Sequence, residues 1–277
     1  MRGPVVRGRA VKDSAALFGS TEPTDPPRLP LYDRIRRQVV PRRLYLWDKL
    51  RREIAHGEPE MRLIPFLARP DRVSIDVGAF KGVYAYALSK YSAAVHAFEP
   101  NPAMFAVLAA NVSGFADRIV THQLALSNAA GEAELRIPIK GSGHVPSRAS
   151  LSTVAVEEGF SAVRVRVARL DDLGISNVGF MKIDAEGMEQ SVLEGAAGML
   201  RRDRPTLLIE LEEEHRHEPL PQMVRAIRAF GYDCLALCDG VLTPFDRIDL
   251  ERHHRHPPSK RDYIFNFVFL PTADGKG

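Results

Sequence analysis

From Val73 onward, short apolar runs alternate with stretches of helical period. Val73–Val77, Val95–Glu99 and Ile119–Leu124 each read as a strand, the first ended by Gly78 and the second by Pro100. Between them, residues 83–90 and Ala103–Asn111 carry apolar positions at helical spacing, the latter opened by Pro102 at a first-turn position. After an interval the rhythm resumes. Val178–Ile183 predicts a strand, Met188–Arg201 a helix, Thr206–Leu211 a strand, Pro221–Phe230 a helix, Asp233–Leu237 a strand and Tyr263–Leu270 a last strand. Alternation at this pace predicts βαβ units and an α/β fold with a mostly parallel sheet. The interval itself, 131–168, differs. Glu132–Ile137 and Val163–Val167 alternate polar and apolar residues, as antiparallel edge strands do, around a segment rich in Gly, Ser and Pro.

Upstream of Val73 the pattern is helical and basic. Leu31, Ile35, Val39, Leu46, Leu50 and Ile54 fall near helical spacing with arginines between them, and Pro41 is expected to split the run into two helices. A further short helix fits Glu60–Leu67. Residues 20–30 hold four prolines, which exclude a helix or a central strand. The expected organisation is a disordered or extended arm over 1–30, a basic helical leader over 31–71 and an α/β domain over 72–277.

Composition adds one useful asymmetry. The 277 residues are 45% hydrophobic and 26% charged, as in ordinary globular chains. A net charge of +3, from 38 Lys+Arg against 35 Asp+Glu, does not point to a nucleic-acid partner. The excess is local: residues 1–72 hold 16 basic and 9 acidic side chains, the remainder 22 and 26. Such a leader suits an acidic partner or peripheral contact with an anionic membrane surface. No apolar run approaches the roughly 18 residues of a membrane span. Cys234 and Cys238 lie four positions apart, about 13 Å along a strand, too far for a disulfide. They read as buried free thiols, argue against a zinc site by their small number, and point to a reducing, cytoplasmic setting. The pattern sets no oligomeric state.

Three motifs sit where strands end. Asp76-Val-Gly78-Ala79-Phe80-Lys81-Gly82 lies between the first strand and its helix, and Phe98-Glu99-Pro100-Asn101-Pro102 at the end of the second. In a doubly wound sheet both fall at the carboxyl edge, where ligands bind. Glycine at 78 lets a ligand approach the backbone, and an acid about 20 residues on, Glu99, can accept from ribose hydroxyls. Asp76 at the strand mouth would repel a pyrophosphate and suits a cationic nucleoside such as S-adenosylmethionine. The third motif, Lys182-Ile-Asp184-Ala-Glu186-Gly187-Met188-Glu189, ends the fourth parallel strand, and Glu210 ends the fifth.

These residues resemble the FkbM family of S-adenosylmethionine-dependent methyltransferases. The likeness runs from about Arg72 to Leu270 and includes Asp76–Tyr84, Ala97–Pro102, Ala125–Ser127, Ser150-Leu151, Leu170–Leu173, Lys182–Gly187, Leu193–Ala196 and Arg204-Pro205. It departs at Phe80, where the family usually shows Asn. The resemblance implies a Rossmann-like seven-stranded methyltransferase sheet with one antiparallel strand, and O-methylation of a hydroxyl on a sugar, glycan or secondary metabolite. It implies that Asp76 and Gly78 lie by the methionine part, that Glu99 holds the ribose hydroxyls, that the turn around Leu124 and Ala125 borders the adenine, and that Asp184 sits near the transferred methyl group; Ala79, Gly82 and Asn101 are further cofactor-binding candidates.

Deprotonating an acceptor hydroxyl calls for a general base. Asp184, Glu186 and Glu210 are the candidates. Such carboxylates could also hold a divalent metal, which their spacing does not support. His215 is a candidate acid/base residue or, like His217, a surface histidine, and His253, His254 and His256 read as solvent-exposed, with metal binding as the lesser reading. His144, Phe160 and the 141–159 loop are candidates for covering the acceptor. Two other readings stay open: a non-catalytic scaffold or sensor that binds a nucleoside cofactor, and an NAD-dependent oxidoreductase.

Overall fold

The structure is a computed structural model that describes residues 42–140, 143–144, 149–151, 159–213 and 217–273. In chain order the strands are β1 (Val73–Val77), β2 (Ala94–Phe98), β3 (Ile119–His122), β4 (Ala125–Leu126), β5 (Gly131–Lys140), β6 (Gly143–His144), β7 (Phe160–Ala168), β8 (Val178–Ile183), β9 (Thr206–Glu210), β10 (Tyr232–Cys238), β11 (Val241–Pro244) and β12 (Asn266–Pro271). The α-helices are α1 (Arg42–His56), α2 (Ile64–Leu67), α3 (Val83–Leu88), α4 (Pro102–Val112), α5 (Glu189–Gly195), α6 (Ala197–Asp203) and α7 (Leu220–Arg228).

The main sheet runs β11-β10-β12-β9-β8-β1-β2-β3. β3, β2, β1, β8 and β9 pair in parallel, and β12 is antiparallel to both β9 and β10. This is the expected arrangement of seven strands with one reversed, plus an eighth. The eighth, β11, forms a hairpin with β10 across Asp239-Gly240; both turn residues have positive φ, as a two-residue hairpin turn requires. The order steps outward from β1 in both directions, so the β1/β8 boundary is the switch point that opens a crevice at the carboxyl ends. The insertion is a second sheet, β4-β7-β5-β6, whose long β5/β7 ladder is antiparallel as its alternation predicts.

The sheet is apolar on both faces. Ile75, Val77, Met181, Ile183, Leu207 and Ile209 face α5, α6 and α7 in one cluster. On the other face α3 and α4 cover the β1–β3 half. Phe180, Leu208 and Val268 on that face share a cluster with Tyr45, Leu46, Leu50, Met61 and Ile64 of the leader. The leader's apolar stripe therefore closes the half-face that the crossover helices leave bare, because a parallel sheet buries both of its sides. Among the described residues, 42–71 have no apolar cluster of their own.

Several expected boundaries shift for local reasons. The helix read as Met188–Arg201 is two, α5 and α6, parted at Ala196. Gly195 there packs against the Ser127 carbonyl with no room for a Cβ, which pins α5 to the start of the insertion. The segment read as Ile119–Leu124 leaves the main sheet at His122 and resumes in the second sheet as β4. Helix α1 starts immediately after Pro41, where a break was expected; residues 31–41 lie outside the described residues.

Candidate active site

The carboxyl ends of β1, β2 and β8 open onto a cleft with a cavity volume of about 260 Å³. Gly78, Phe80, Glu99, Leu124, Ala125, Asp184 and Glu186 line it. The three strand-end motifs thus meet there, with the turn around Leu124-Ala125.

Local geometry explains several of these positions. Gly78 has φ +76, its N–H donates to the Phe98 carbonyl at 3.0 Å, and a Cβ would run into the Asp184 backbone oxygen. Glycine here lets β1 and β8 end side by side. Phe80 has φ +46, a left-handed conformation that suits Asn better than an aromatic residue; this is the position where the sequence departs from the family's Asn. The backbone N–H groups of Phe80 and Asn101 each donate to Glu99 at 2.9 Å, one to each carboxylate oxygen. Glu99 is thereby fixed in the wall, and burial pushes its pKa up to about 7 despite those bonds. Glu189 does the same for the third motif. Its carboxylate accepts from Gly187 N–H at 2.9 Å and Ala185 N–H at 3.3 Å, and burial raises it to about 7. The loop it holds puts Glu186 (φ +48) at the cleft.

Other expected contact residues lie behind the wall. Ala79 is buried and donates its N–H to the Phe98 carbonyl at 2.9 Å. Gly82 opens α3 at φ +82, close against Leu108 and Val112. Asn101 caps α4, its side chain accepting from the Ala103 N–H at 3.0 Å. These three shape the turns that carry the wall and do not line it. Asp76 is 0% exposed and is not a lining residue. Neither of its carboxylate oxygens has a hydrogen-bond partner, and desolvation raises its pKa to about 6.

Asp76 belongs to a buried electrostatic cluster centred on Lys182. The Lys182 Nζ lies 2.8 Å from Asp184 Oδ2 and 4.8 Å from the centroid of the Tyr84 ring. Burial alone would lower the Lys182 pKa; the carboxylates of Asp184, Glu58 and Asp76 outweigh it and hold the ammonium charged. Glu210, expected as a catalytic acid or base, does not line the cleft. Burial and the neighbouring Asp184 push its carboxyl far above the usual range, so it keeps its proton at neutral pH.

Sequence reasoning missed Glu58. It lies in the leader yet lines the cleft. It accepts from Tyr84 Oη at 2.5 Å and from Asn266 Nδ2 at 3.0 Å. No motif marks it, because its role exists only once the leader docks on the sheet. The insertion reaches the site as well: Ala149 and Leu151 line the cleft, and Ser150 Oγ donates to the Glu186 carbonyl. Phe160 instead packs under the Arg136 guanidinium, 4.6 Å from its ring centroid, and is not a lining residue. His215 and most of the 141–159 loop lie outside the described residues, as does the side chain of His144. His217 is exposed. His253 and His254, expected in solvent, are both buried, since their short π-helical turn folds back beside β10 and β12. Of the two cysteines Cys234 is buried as expected, but Cys238 is only half-buried; neither forms a disulfide. No helix among the described residues is long and apolar enough to cross a membrane.

Comparison with known proteins bears on the same region. The chain is 30% identical over 208 residues to the 31-O-demethyl-FK506 methyltransferase FkbM of Streptomyces tacrolimicus, covering 62% of this chain and 77% of that one. Among solved structures, the methyltransferase FkbM from Methylobacillus flagellatus KT aligns with 78% of this chain and 52% of its own, at 18% identity and a TM-score of 0.47. A TehB-like SAM-dependent methyltransferase from Corynebacterium glutamicum aligns with 83% of this chain and 98% of its own, at 13% identity and a TM-score of 0.44. The methyltransferase FkbM domain matches residues 76–234, from the orphaned carboxylate of β1 to the middle of β10. With the strand-end motifs gathered at one cleft and more than half of the sequence inside that match, the chain belongs to the FkbM methyltransferase family.

Proposed function

We propose that this protein transfers the methyl group of S-adenosylmethionine to a hydroxyl of a sugar, glycan or secondary metabolite. The observation that carries the reading is the pairing of Gly78 and Glu99 across one cleft. One offers backbone without a side chain, and the other a carboxylate held at its rim. The residues fit a cationic nucleoside. The buried cluster next to the cleft sets the carboxylates of Asp184, Glu58 and Asp76 around one ammonium, beside the protonated Glu210. A pyrophosphate would meet repulsion there, which weighs against a dinucleotide. Glu99 would hold the ribose hydroxyls, Gly78 would face the methionine part, and Leu124 and Ala125 would border the adenine.

When bound, the cofactor supplies a methyl group already activated on a sulfonium. The chain's own work is then orientation and proton removal. Holding the acceptor oxygen in line is worth up to roughly 7–11 kcal/mol in favourable cases, and a positioned base about 10²–10⁴-fold. Asp184 and Glu186 stand at the cleft for that base role. Lys182 orients Asp184 through the 2.8 Å ion pair, and Glu210, protonated, is a hydrogen-bond donor rather than a base. Glu58 extends the carboxylate-rich wall on the leader's side, where hydroxyl groups find acceptors.

Calorimetry with S-adenosylhomocysteine, with NADH as the comparator, tests the cofactor. Binding of the first alone, weakened at least tenfold by Glu99→Gln, is expected. Binding of NADH alone, or of neither, would overturn the reading. Labelled S-adenosylmethionine with fractionated cell extract then identifies the acceptor, and cofactor binding without turnover in any fraction would favour a scaffold.

A further inference from the structure

Outside the cleft, three side chains of different metal-binding chemistry converge. Strand β10 ends at Cys238, the turn into β11 begins at Asp239, and the π-helical turn Glu251–Arg255 brings His253 beside them. Turns of this kind are rare and recur at functional sites. One ligand atom from each of Cys238, Asp239 and His253 lies within 4.8 Å of the other two, and Cys238 Sγ is 3.6 Å from His253 Nε2. Among the described residues this is the one group that meets such a test; Asp184, Glu186 and Glu210 do not.

The protonation pattern follows from the neighbours. His253 Nδ1 lies 3.3 Å from the Asp262 carbonyl oxygen. A carbonyl only accepts, so Nδ1 carries the proton and Nε2 turns a lone pair toward the sulfur. Metal-bound imidazoles are held in the same way, with the distal N–H on a backbone carbonyl or carboxylate. With Zn–S near 2.3 Å and Zn–N near 2.0–2.1 Å at tetrahedral angles, sulfur and nitrogen stand about 3.6 Å apart. The observed sulfur–nitrogen spacing matches this value, and a carboxylate oxygen of Asp239 lies within 4.8 Å of both atoms.

We propose that Cys238, Asp239 and His253 bind one zinc ion, with water completing a tetrahedral site. Thiolate and imidazole together select zinc-like cations over magnesium or calcium. On binding, the Cys238 S–H bond breaks, a sulfur–zinc bond forms and the proton leaves to solvent. His253 is buried while Asp239 is exposed, so the ion has a supported back and an open entry. Burial opposes the ionisation of Cys238 most, Asp239 and Asp262 oppose it further, and Arg252 favours it. The ion would fasten the β10–β11 hairpin to the segment that leads into β12. A count of two cysteines hides this site, because the histidine comes from 15 residues away in sequence.

The full-length chain, stripped with EDTA, is titrated with zinc sulfate against a chromophoric chelator. One zinc per chain is expected, with affinity rising roughly tenfold per pH unit between pH 6 and 7.5 because one proton is released. Cys238→Ser and His253→Gln should each weaken binding at least tenfold, while His256→Gln, at an exposed position, should not. Asp239→Asn, on an exposed turn, is the variant least able to disturb folding, and it should weaken binding several-fold. Zinc should also raise the thermal midpoint of the wild type and not that of Cys238→Ser. Absence of stoichiometric binding, or binding that survives Cys238→Ser and Asp239→Asn in proteins with native circular dichroism, would overturn the assignment.

Discussion

Replacing Asp76 with asparagine separates what the fold wants from what the site wants. Asp76 is fully buried, its oxygens lack hydrogen-bond partners, and its pKa stands at about 6 against an ordinary 3.8. A raised pKa means that the native state binds the proton more tightly than the unfolded chain. Stability is therefore lost as pH rises from about 3.8 to about 6, and the full loss persists above that. A shift from 3.8 to about 6 corresponds to roughly 3 kcal/mol at pH 8, about half of that at pH 5, and nothing well below pH 3.8. The attraction of Lys182 is already contained in that pKa. Asp76→Asn keeps the volume and removes the charge, so it should stabilise the free protein by up to ~3 kcal/mol at pH 8. With a urea m-value of about 2–3 kcal/mol/M, the midpoint should rise by roughly 1 M. Circular dichroism at pH 8 and pH 5, on wild type and variant under identical conditions, reads the difference; the gain should be smaller at pH 5. A variant less stable than wild type at pH 8, or a gain that does not shrink with falling pH, would refute the reasoning. A more stable variant with weaker S-adenosylhomocysteine binding would show a charge kept for the ligand at the expense of the fold.

Other positions give sharper or opposite outcomes. Gly78→Ala forces a Cβ into the Asp184 backbone oxygen at φ +76, so a loss of at least 1–2 kcal/mol in thermal or urea unfolding is expected, with cofactor binding abolished. Glu99→Ala leaves the N–H groups of Phe80 and Asn101 without their acceptor; at about 1–3 kcal/mol for each unsatisfied group, it should destabilise far more than Glu99→Gln, which keeps an acceptor oxygen. Arg72 donates to the carbonyls of Val178 (2.5 Å) and Asp203 (2.6 Å) at the far, amino-terminal end of the strands. Arg72→Ala should cost about 2–4 kcal/mol of stability while leaving the S-adenosylhomocysteine affinity of the folded protein unchanged, which calorimetry checks.

The sequence by itself determined the sheet and the position of the cleft. Apolar runs of strand length between helical stretches fix a buried parallel sheet, since only that arrangement covers both faces of such strands. Glycine and acid at the strand ends mark the carboxyl edge, because local backbone conformation demands glycine at Gly78 and a strand terminus follows directly from Pro100. What a residue meets across space was decided by the tertiary structure alone. Asp76, Asn101 and Gly82 looked equivalent to Glu99 along the chain, yet the alternation of β1 and the entries of α3 and α4 keep them out of the cleft lining. Glu210 stands outside the cleft lining, and burial beside Asp184 raises its carboxyl pKa, a property of its neighbours and not of its spacing. Glu58 entered the site only when the leader closed the bare half of the sheet, and His253 reached Cys238 only through a folded-back turn. Local conformation is written in short stretches of sequence; charge, desolvation and ligand geometry depend on partners that the chain brings together from far apart.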